Sequence, residues 1–270
     1  MNAEPDSGDR PPPAELSHVV LDRGARRVLD GVTLALRWHE LFVLLGPNGC
    51  GKSSLLRLLL GLDVASAGTV RLFGRDMSSA GSRQLGDLRR QLGVVFQGGG
   101  LIDFLTLIEN VRLPLEGRTP EGEDDLDVAV RVRLIEFQID GYQHFLPGEL
   151  SPGLAKRVQL ARALVTNPRL LVCDDPGTGL DRVAATELEE LLRALTSRHR
   201  LTAIVTSTDP GLALRVADRI GLLERGRLVA VGTPAEITAR AERDLVVRRI
   251  VDGATGRPEP RARGKGDDNA

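Results

Sequence analysis

Cysteine is scarce. Two occur in 270 residues, Cys50 and Cys173, which speaks against the disulfide framework that staples small secreted domains and favours free thiols. Net charge is almost absent as well, −1 at neutral pH with a sequence pI near 6.5, so no global basic field exists to carry an extended nucleic-acid footprint. No run approaches the roughly 20 apolar residues of a membrane-spanning helix. The stretch from Met1 to Pro13 is polar and proline-rich, without a signal-peptide core. A cytoplasmic protein is expected. Lysine is rarer than arginine throughout, with only Lys52, Lys156 and Lys265, so a lysine in a glycine loop stands out.

What is present is enough apolar material, 41% of the chain, to bury a substantial core near the length where one domain begins to divide. One compact α/β domain with an insertion is expected. The chain is organised around Gly46-Pro47-Asn48-Gly49-Cys50-Gly51-Lys52-Ser53, which follows the apolar run Leu41–Leu45 and precedes Ser54-Leu55-Leu56-Arg57-Leu58-Leu59-Leu60. That is strand, glycine loop, helix, with the spacing G-x-x-x-x-G-K-[ST]. In such a loop the glycines let backbone N–H groups wrap phosphates, Lys52 reaches the β- and γ-phosphates, and the Ser53 hydroxyl ligates Mg²⁺. The helix opening at Lys52 adds its positive end. A nucleoside triphosphate site is expected. Cys50 sits beside Lys52 at a helix start, where a thiol pKa tends to fall, but a small residue filling a tight loop explains it and it is given no chemistry.

Along the chain, residues 1–14 and 252–270 are poor in apolar residues and are expected to be mobile ends. Strands are expected over Leu16–Leu21, Gly31–Leu36 and Gly68–Gly74, forming a small antiparallel sheet. A helix near Ser82–Gln91 leads to the strand Leu92–Phe96, then Gln97 and a glycine hinge, Gly98-Gly99-Gly100. Residues 101–165 read as a helical insertion with helices over Leu105–Leu113, Asp125–Glu136 and Pro152–Val165. The continuous apolar run Arg169-Leu170-Leu171-Val172-Cys173 ends in Asp174-Asp175, as expected of a strand buried on both faces with its polar end toward a ligand. Helices over Arg182–Arg198 and Pro210–Val216 alternate with strands Leu201–Thr206 and Arg219–Leu223, the pattern of a parallel sheet with crossover helices.

The glycine loop, Gln97, Leu150-Ser151-Pro152-Gly153-Leu154 and Asp174-Asp175-Pro176-Gly177-Thr178-Gly179-Leu180-Asp181, in that order, resemble the ATP-binding subunit of ABC transporters over roughly residues 16–250. Within that family, Phe96 to Leu115 and Val247 to Gly256 look like the ATPases of Mla-type phospholipid transporters that work with MCE-domain proteins. The resemblance implies a P-loop NTPase fold: a RecA-like parallel sheet, a small antiparallel β subdomain and a helical subdomain over about 100–165 within a cassette spanning 15–251. It implies ATP and Mg²⁺ as cofactors. A second ATP-binding subunit and an integral-membrane permease would be partners, at the cytoplasmic face of the inner membrane. Nucleic acid is not an expected partner.

Residue by residue, the resemblance implies that Asp174 holds Mg²⁺ with Ser53, and that Gln97 senses the γ-phosphate and the metal, a solvated loop glutamine being the lesser alternative. Ser151 and Gly153 would bind the γ-phosphate of ATP held by a partner's loop, and Ser54 would complete the phosphate cradle. Asp181 would bridge the two sites, a role compatible with capping the next helix. Four positions depart from the family pattern. Arg23 stands where an aromatic residue usually stacks on adenine, and a guanidinium can also stack on a base. Pro152 replaces the first signature glycine and has no N–H for a phosphate. Asp175 replaces the glutamate that polarises water and is shorter by a methylene, on the order of 1 Å. Thr208 replaces the switch histidine and cannot carry charge. Binding of ATP with slow hydrolysis is expected. A regulatory or heterodimer-partner subunit that scarcely hydrolyses is the alternative, and a soluble ABC-type ATPase acting on DNA or ribosomes is disfavoured because the chain has no coiled-coil insertion, second cassette or basic stripe.

Overall fold

The structure, a computed structural model, describes residues 10–98, 100–116 and 123–253. The chain begins with β1 (Ala14–Arg23), β2 (Arg26–Ala35), β3 (Leu41–Leu45), α1 (Lys52–Leu59), β4 (Ala67–Leu72), β5 (Arg75–Asp76), α2 (Ser82–Arg89) and β6 (Leu92–Val95). Then come α3 (Leu107–Arg112), α4 (Glu123–Glu136), α5 (Pro152–Leu164), β7 (Leu170–Cys173), α6 (Arg182–His199) and β8 (Thr202–Ser207). It closes with α7 (Pro210–Val216), β9 (Arg219–Glu224), β10 (Arg227–Gly232), α8 (Pro234–Ala241) and α9 (Leu245–Asp252).

Two sheets result. The antiparallel one has the order β2-β1-β4-β5, and the larger one β10-β9-β3-β8-β7-β6. In the larger sheet β9, β3, β8, β7 and β6 pair in parallel, and β10 closes one edge as an antiparallel hairpin with β9. Strand alternation decides the layering. Leu41, Val43 and Leu45 of β3 join the core formed with the helices on one face, while Phe42 and Leu44 join the core shared with α1 and the antiparallel sheet on the other. All five are buried, which is why this strand reads as an unbroken apolar run rather than an alternating one.

The mobile ends expected at 1–14 and 252–270 fall mostly outside the described residues. Within them, the strand starts one residue earlier than the expected cassette, at Ala14, and residues 10–13 are tied down: Trp38 Nε1 donates to the Pro11 carbonyl at 2.9 Å and Phe73 N–H to the Pro13 carbonyl at 3.1 Å. At the other end α9 runs on to Asp252. The expected hinge at Gly98–Gly100 includes Gly99, which is outside the described residues.

Candidate functional site

The loop after β3 is shaped by three close approaches. The Gly46 N–H donates to the Ser207 carbonyl at 3.3 Å, and a Cβ on Gly46 would lie 2.2 Å from the Leu223 carbonyl oxygen. Gly51 has φ +115° and a Cβ there would meet Leu29 at 2.8 Å. Only glycine fits both positions. The Cys50 carbonyl accepts from the Gly226 N–H at 2.9 Å, pinning the loop to the β9–β10 hairpin. The Cys50 thiol is buried, and burial pushes its pKa up, the opposing charge of Lys52 notwithstanding. Inside the loop the Lys52 ammonium, 7% exposed, donates to the Gly46 carbonyl at 2.6 Å and the Pro47 carbonyl at 3.1 Å.

Ser53, on the first turn of α1, donates its hydroxyl to Asp174 Oδ1 at 3.1 Å. The same oxygen accepts from the Thr206 hydroxyl at 2.7 Å, and that hydroxyl accepts from the Asp175 N–H at 2.8 Å. Parallel pairing of Cys173 with Val205 carries Thr206 alongside Asp174, so β8 orients the Asp174 carboxylate and fixes the backbone of Asp175 just beyond β7. A hydroxyl and a carboxylate this close suit Mg²⁺, which takes one or two protein oxygens and fills the rest of its octahedron from phosphate and water. Among the described residues no group of three or more His, Cys, Asp or Glu is placed to cage a metal, in keeping with that sparse donor set.

One cleft of about 440 Å³ gathers these groups. Lys52, Ser53, Ser54, Asn48, Gly49 and Gly51 line it from the loop, and Gln97, Asp174 and Asp175 from the ends of β6 and β7. Gln97 Nε2 lies 3.5 Å from Thr178 Oγ1, a loose contact. Asp175 adopts φ +44°, the left-handed region that Asp tolerates better than most residues. Arg23 lines the cleft too, with its guanidinium 2.5 Å from Asp63 Oδ2, a carboxylate shared with Arg57. Arg26 and Val28 line the same wall; both went unread in the sequence, although the turn at Gly24 places Arg26 opposite Arg23. Thr208 is exposed just beyond β8 and is not among the cleft residues.

The remaining candidate residues are elsewhere. Ser151, Gly153 and Asp181 line a second cleft of about 530 Å³ that shares no residue with the first. There the Ser151 hydroxyl caps α5 by accepting from the Leu154 N–H at 3.3 Å. Pro152 occupies the first position of that helix, where its missing N–H breaks no helical bond. Asp181 caps α6 by accepting from the N–H groups of Val183 and Ala184 at 2.9 Å each. Behind Asp175, Lys156 of α5 is buried. Desolvation lowers its pKa, opposed by the charges of Cys173 and Asp175.

Residues 29–178 match the family described as ABC transporter. The chain belongs to the ABC transporter family. It is 33% identical over 239 residues to the probable ribonucleotide transport ATP-binding protein mkl of Mycobacterium tuberculosis, covering 88% of this chain and 66% of that protein. It is 38% identical over 244 residues to the sulfate/thiosulfate import ATP-binding protein CysA 2 of Chromobacterium violaceum, covering 90% of this chain and 64% of that one. The chain thus spans just under two thirds of the length of these curated relatives. Among solved structures it is similar to the dimeric ATP-binding cassette MJ0796 bound to ADP and Pi, at TM-score 0.74 and 28% identity over 82% of this chain and 98% of that one. The cassette architecture expected from the sequence is the one observed.

Proposed function

We propose that this ABC cassette binds Mg-ATP in the Gly46–Ser53 cleft and closes with a second ATP-binding subunit to drive transport through an integral-membrane permease. The carrying observation is the convergence of Lys52, Ser53, Gln97, Asp174 and Asp175 on one cleft, while Ser151, Gly153 and Asp181 line another. A site that needs both sets is completed by a second subunit. In this reading Lys52 exchanges the Gly46 and Pro47 carbonyls for β- and γ-phosphate oxygens, and the loop N–H groups hold the rest of the triphosphate. Mg²⁺, when bound, supplies charge neutralisation for the phosphates. Ser53 and Asp174 hold it, Thr206 keeps the Asp174 carboxylate turned toward Ser53, and Gln97 faces the γ-phosphate end. Asp175 takes a proton from the attacking water.

The shortened carboxylate at 175 and a threonine at 208, which cannot carry charge, make hydrolysis slow, since general-base catalysis is worth about 10²–10⁴-fold. The same departures support the second reading, a regulatory or heterodimer-partner subunit that binds ATP and scarcely turns it over. Phosphate release by the chain reconstituted with its permease, against Lys52→Ala, separates them. Turnover above that control supports the motor; turnover equal to it, with ATP binding retained, supports the regulatory subunit.

No helix among the described residues is long and apolar enough to cross a membrane, so attachment to the cytoplasmic face of the inner membrane is assigned to the permease. A phospholipid cargo and an MCE-domain partner rest on the likeness of Phe96–Leu115 and Val247–Gly256 to Mla-type ATPases, whereas the relatives are named for ribonucleotide and for sulfate or thiosulfate transport. Transport assays in proteoliposomes offering each class of cargo decide among these.

A further inference from the structure

Three arginines crowd the β1–β2 turn, and their surroundings differ. Arg23 and Arg26 are cross-strand partners on either side of Gly24-Ala25, a placement in which two like charges oppose each other and destabilise the hairpin. Arg23 pairs with Asp63 at 2.5 Å, and Arg27 with Asp22 and Asp30 at 3.1 and 3.3 Å. Arg26 pairs with no carboxylate among the described residues, and its one hydrogen bond there runs from the guanidinium to the Gly49 carbonyl at 3.5 Å. It is exposed and lines the nucleotide cleft.

The direction of that contact matters. Gly49 belongs to the phosphate loop, so the arginine without a carboxylate partner leans over the loop rather than along the sheet. Gln97, Asp174 and Asp175 line the cleft from the ends of β6 and β7 and mark its terminal-phosphate end, while Arg23, Arg26 and Val28 wall the end left for the sugar and base. A guanidinium that neither the hairpin nor a carboxylate occupies suits phosphate oxygens, whose geometry its planar fork matches.

The same wall is poorly equipped to read a base. Among the described residues no aromatic side chain lines the cleft, so no ring offers a stacking face. The side chains of that wall are two guanidinium groups and the apolar Val28, and the fork of Arg23 is engaged by Asp63, which Arg57 also holds. A guanidinium only donates, and every nucleobase carries ring or carbonyl acceptors that such donors can meet. The wall has no acceptor side chain to select the amine of adenine. A site built to hydrogen-bond one group rejects an analogue lacking it by roughly 10⁴–10⁵-fold, and this wall is not built that way.

We propose that the cleft selects the triphosphate and not the base, taking purine and pyrimidine nucleoside triphosphates alike, with Arg26 holding the phosphate chain near its sugar end. The inference rests on the nucleotide reading above. Calorimetry of the full chain with Mg²⁺ and ATP, GTP, CTP or UTP in turn tests it. The four affinities should lie within about fivefold of one another. Arg26→Ala should weaken all four by about tenfold or more, as loss of a charge-assisted hydrogen bond does, and Arg26→Lys, which keeps the charge, should recover part of that loss. Arg27→Ala removes an equal charge from the same turn and should leave all four affinities unchanged, which separates direct contact from long-range attraction. Thermal melts verify folding of each variant. ATP binding tighter than the other three by more than about tenfold overturns the proposal while the nucleotide reading stands, and so does an Arg26→Ala variant that binds all four as the parent does. Binding of none of the four, with the parent no better than Lys52→Ala, overturns both.

Discussion

Thr206→Val removes one hydroxyl and tests how the carboxylates of the nucleotide cleft are held. Thr206 is fully buried, donates to Asp174 Oδ1 at 2.7 Å and accepts from the Asp175 N–H at 2.8 Å. Losing a hydrogen bond to a charged group removes about 1.5–3 kcal/mol, and stranding a buried N–H costs about 1–3 kcal/mol more. The added methyl offsets on the order of 1 kcal/mol, leaving a net loss of about 3 kcal/mol. For a domain of this size each kcal/mol moves Tm by about 2–4 °C, so the midpoint should fall by about 6–12 °C. Circular dichroism melts measure it, and Thr206→Ser, which restores the hydroxyl and loses only a methyl, should recover most of the loss. ATP affinity in the presence of Mg²⁺ should weaken in the valine variant, because Asp174 is free to turn from Ser53. A valine variant melting within about 2 °C of the parent, or a serine variant as unstable as the valine one, would refute this account of the site.

Four further outcomes follow from the same geometry. Asp175→Glu restores the missing methylene and should raise ATP turnover at least about tenfold within the range that general-base catalysis spans, read as phosphate release; an unchanged rate removes Asp175 from the role of base. Gly46→Ala places a Cβ 2.2 Å from the Leu223 carbonyl and should abolish ATP binding measured by calorimetry, while an alanine variant that binds normally contradicts the described loop. Lys156 carries a desolvation-lowered pKa, so the unfolded chain holds a proton that the folded chain lacks between that value and the ordinary 10.5. The Lys156 contribution therefore rises with pH through this window; Lys156→Met should be more stable than the parent in urea at pH 7, where the buried ammonium still carries its desolvation cost, and should lack that rise. Burial raises the Cys50 thiol and pushes that of Cys173 up to about 12, so neither should react with a disulfide reagent at pH 8 until the protein is unfolded, and rapid labelling of the native chain would contradict their burial.

The parts of the fold written in local chemistry were legible in the sequence. Gly46 to Ser53 could be placed because an apolar run precedes it and a leucine-rich helix follows, and the run ending in Asp174 and Asp175 declared a doubly buried strand by lacking alternation. Thr206 could not be read this way. Its importance arises from the register of β8 on β7, which no local pattern of a threonine in a strand reveals. Arg26 escaped notice because its place in the cleft depends on the hairpin bringing it opposite Arg23. The edge strand β10 was missed although Arg225-Gly226 separates two apolar segments by the two-residue spacing of a hairpin, and α8 with its Thr233–Glu236 capping box was legible in principle. Thr208 was placed by motif order alone, and it stands exposed directly after β8.

The disjoint lining of the two clefts also has a genetic meaning. A chain with Lys52→Ala keeps its Ser151–Gly153 face, and a chain damaged at Gly153 keeps its phosphate loop. On the proposed two-subunit reading, with both subunits copies of this chain, two such inactive chains mixed in equal amounts pair half the time with each other, and each mixed pair rebuilds one good site, so about a quarter of the sites return. Each defect should therefore be recessive to the other, and two null alleles in one cell should restore partial function where either alone restores none.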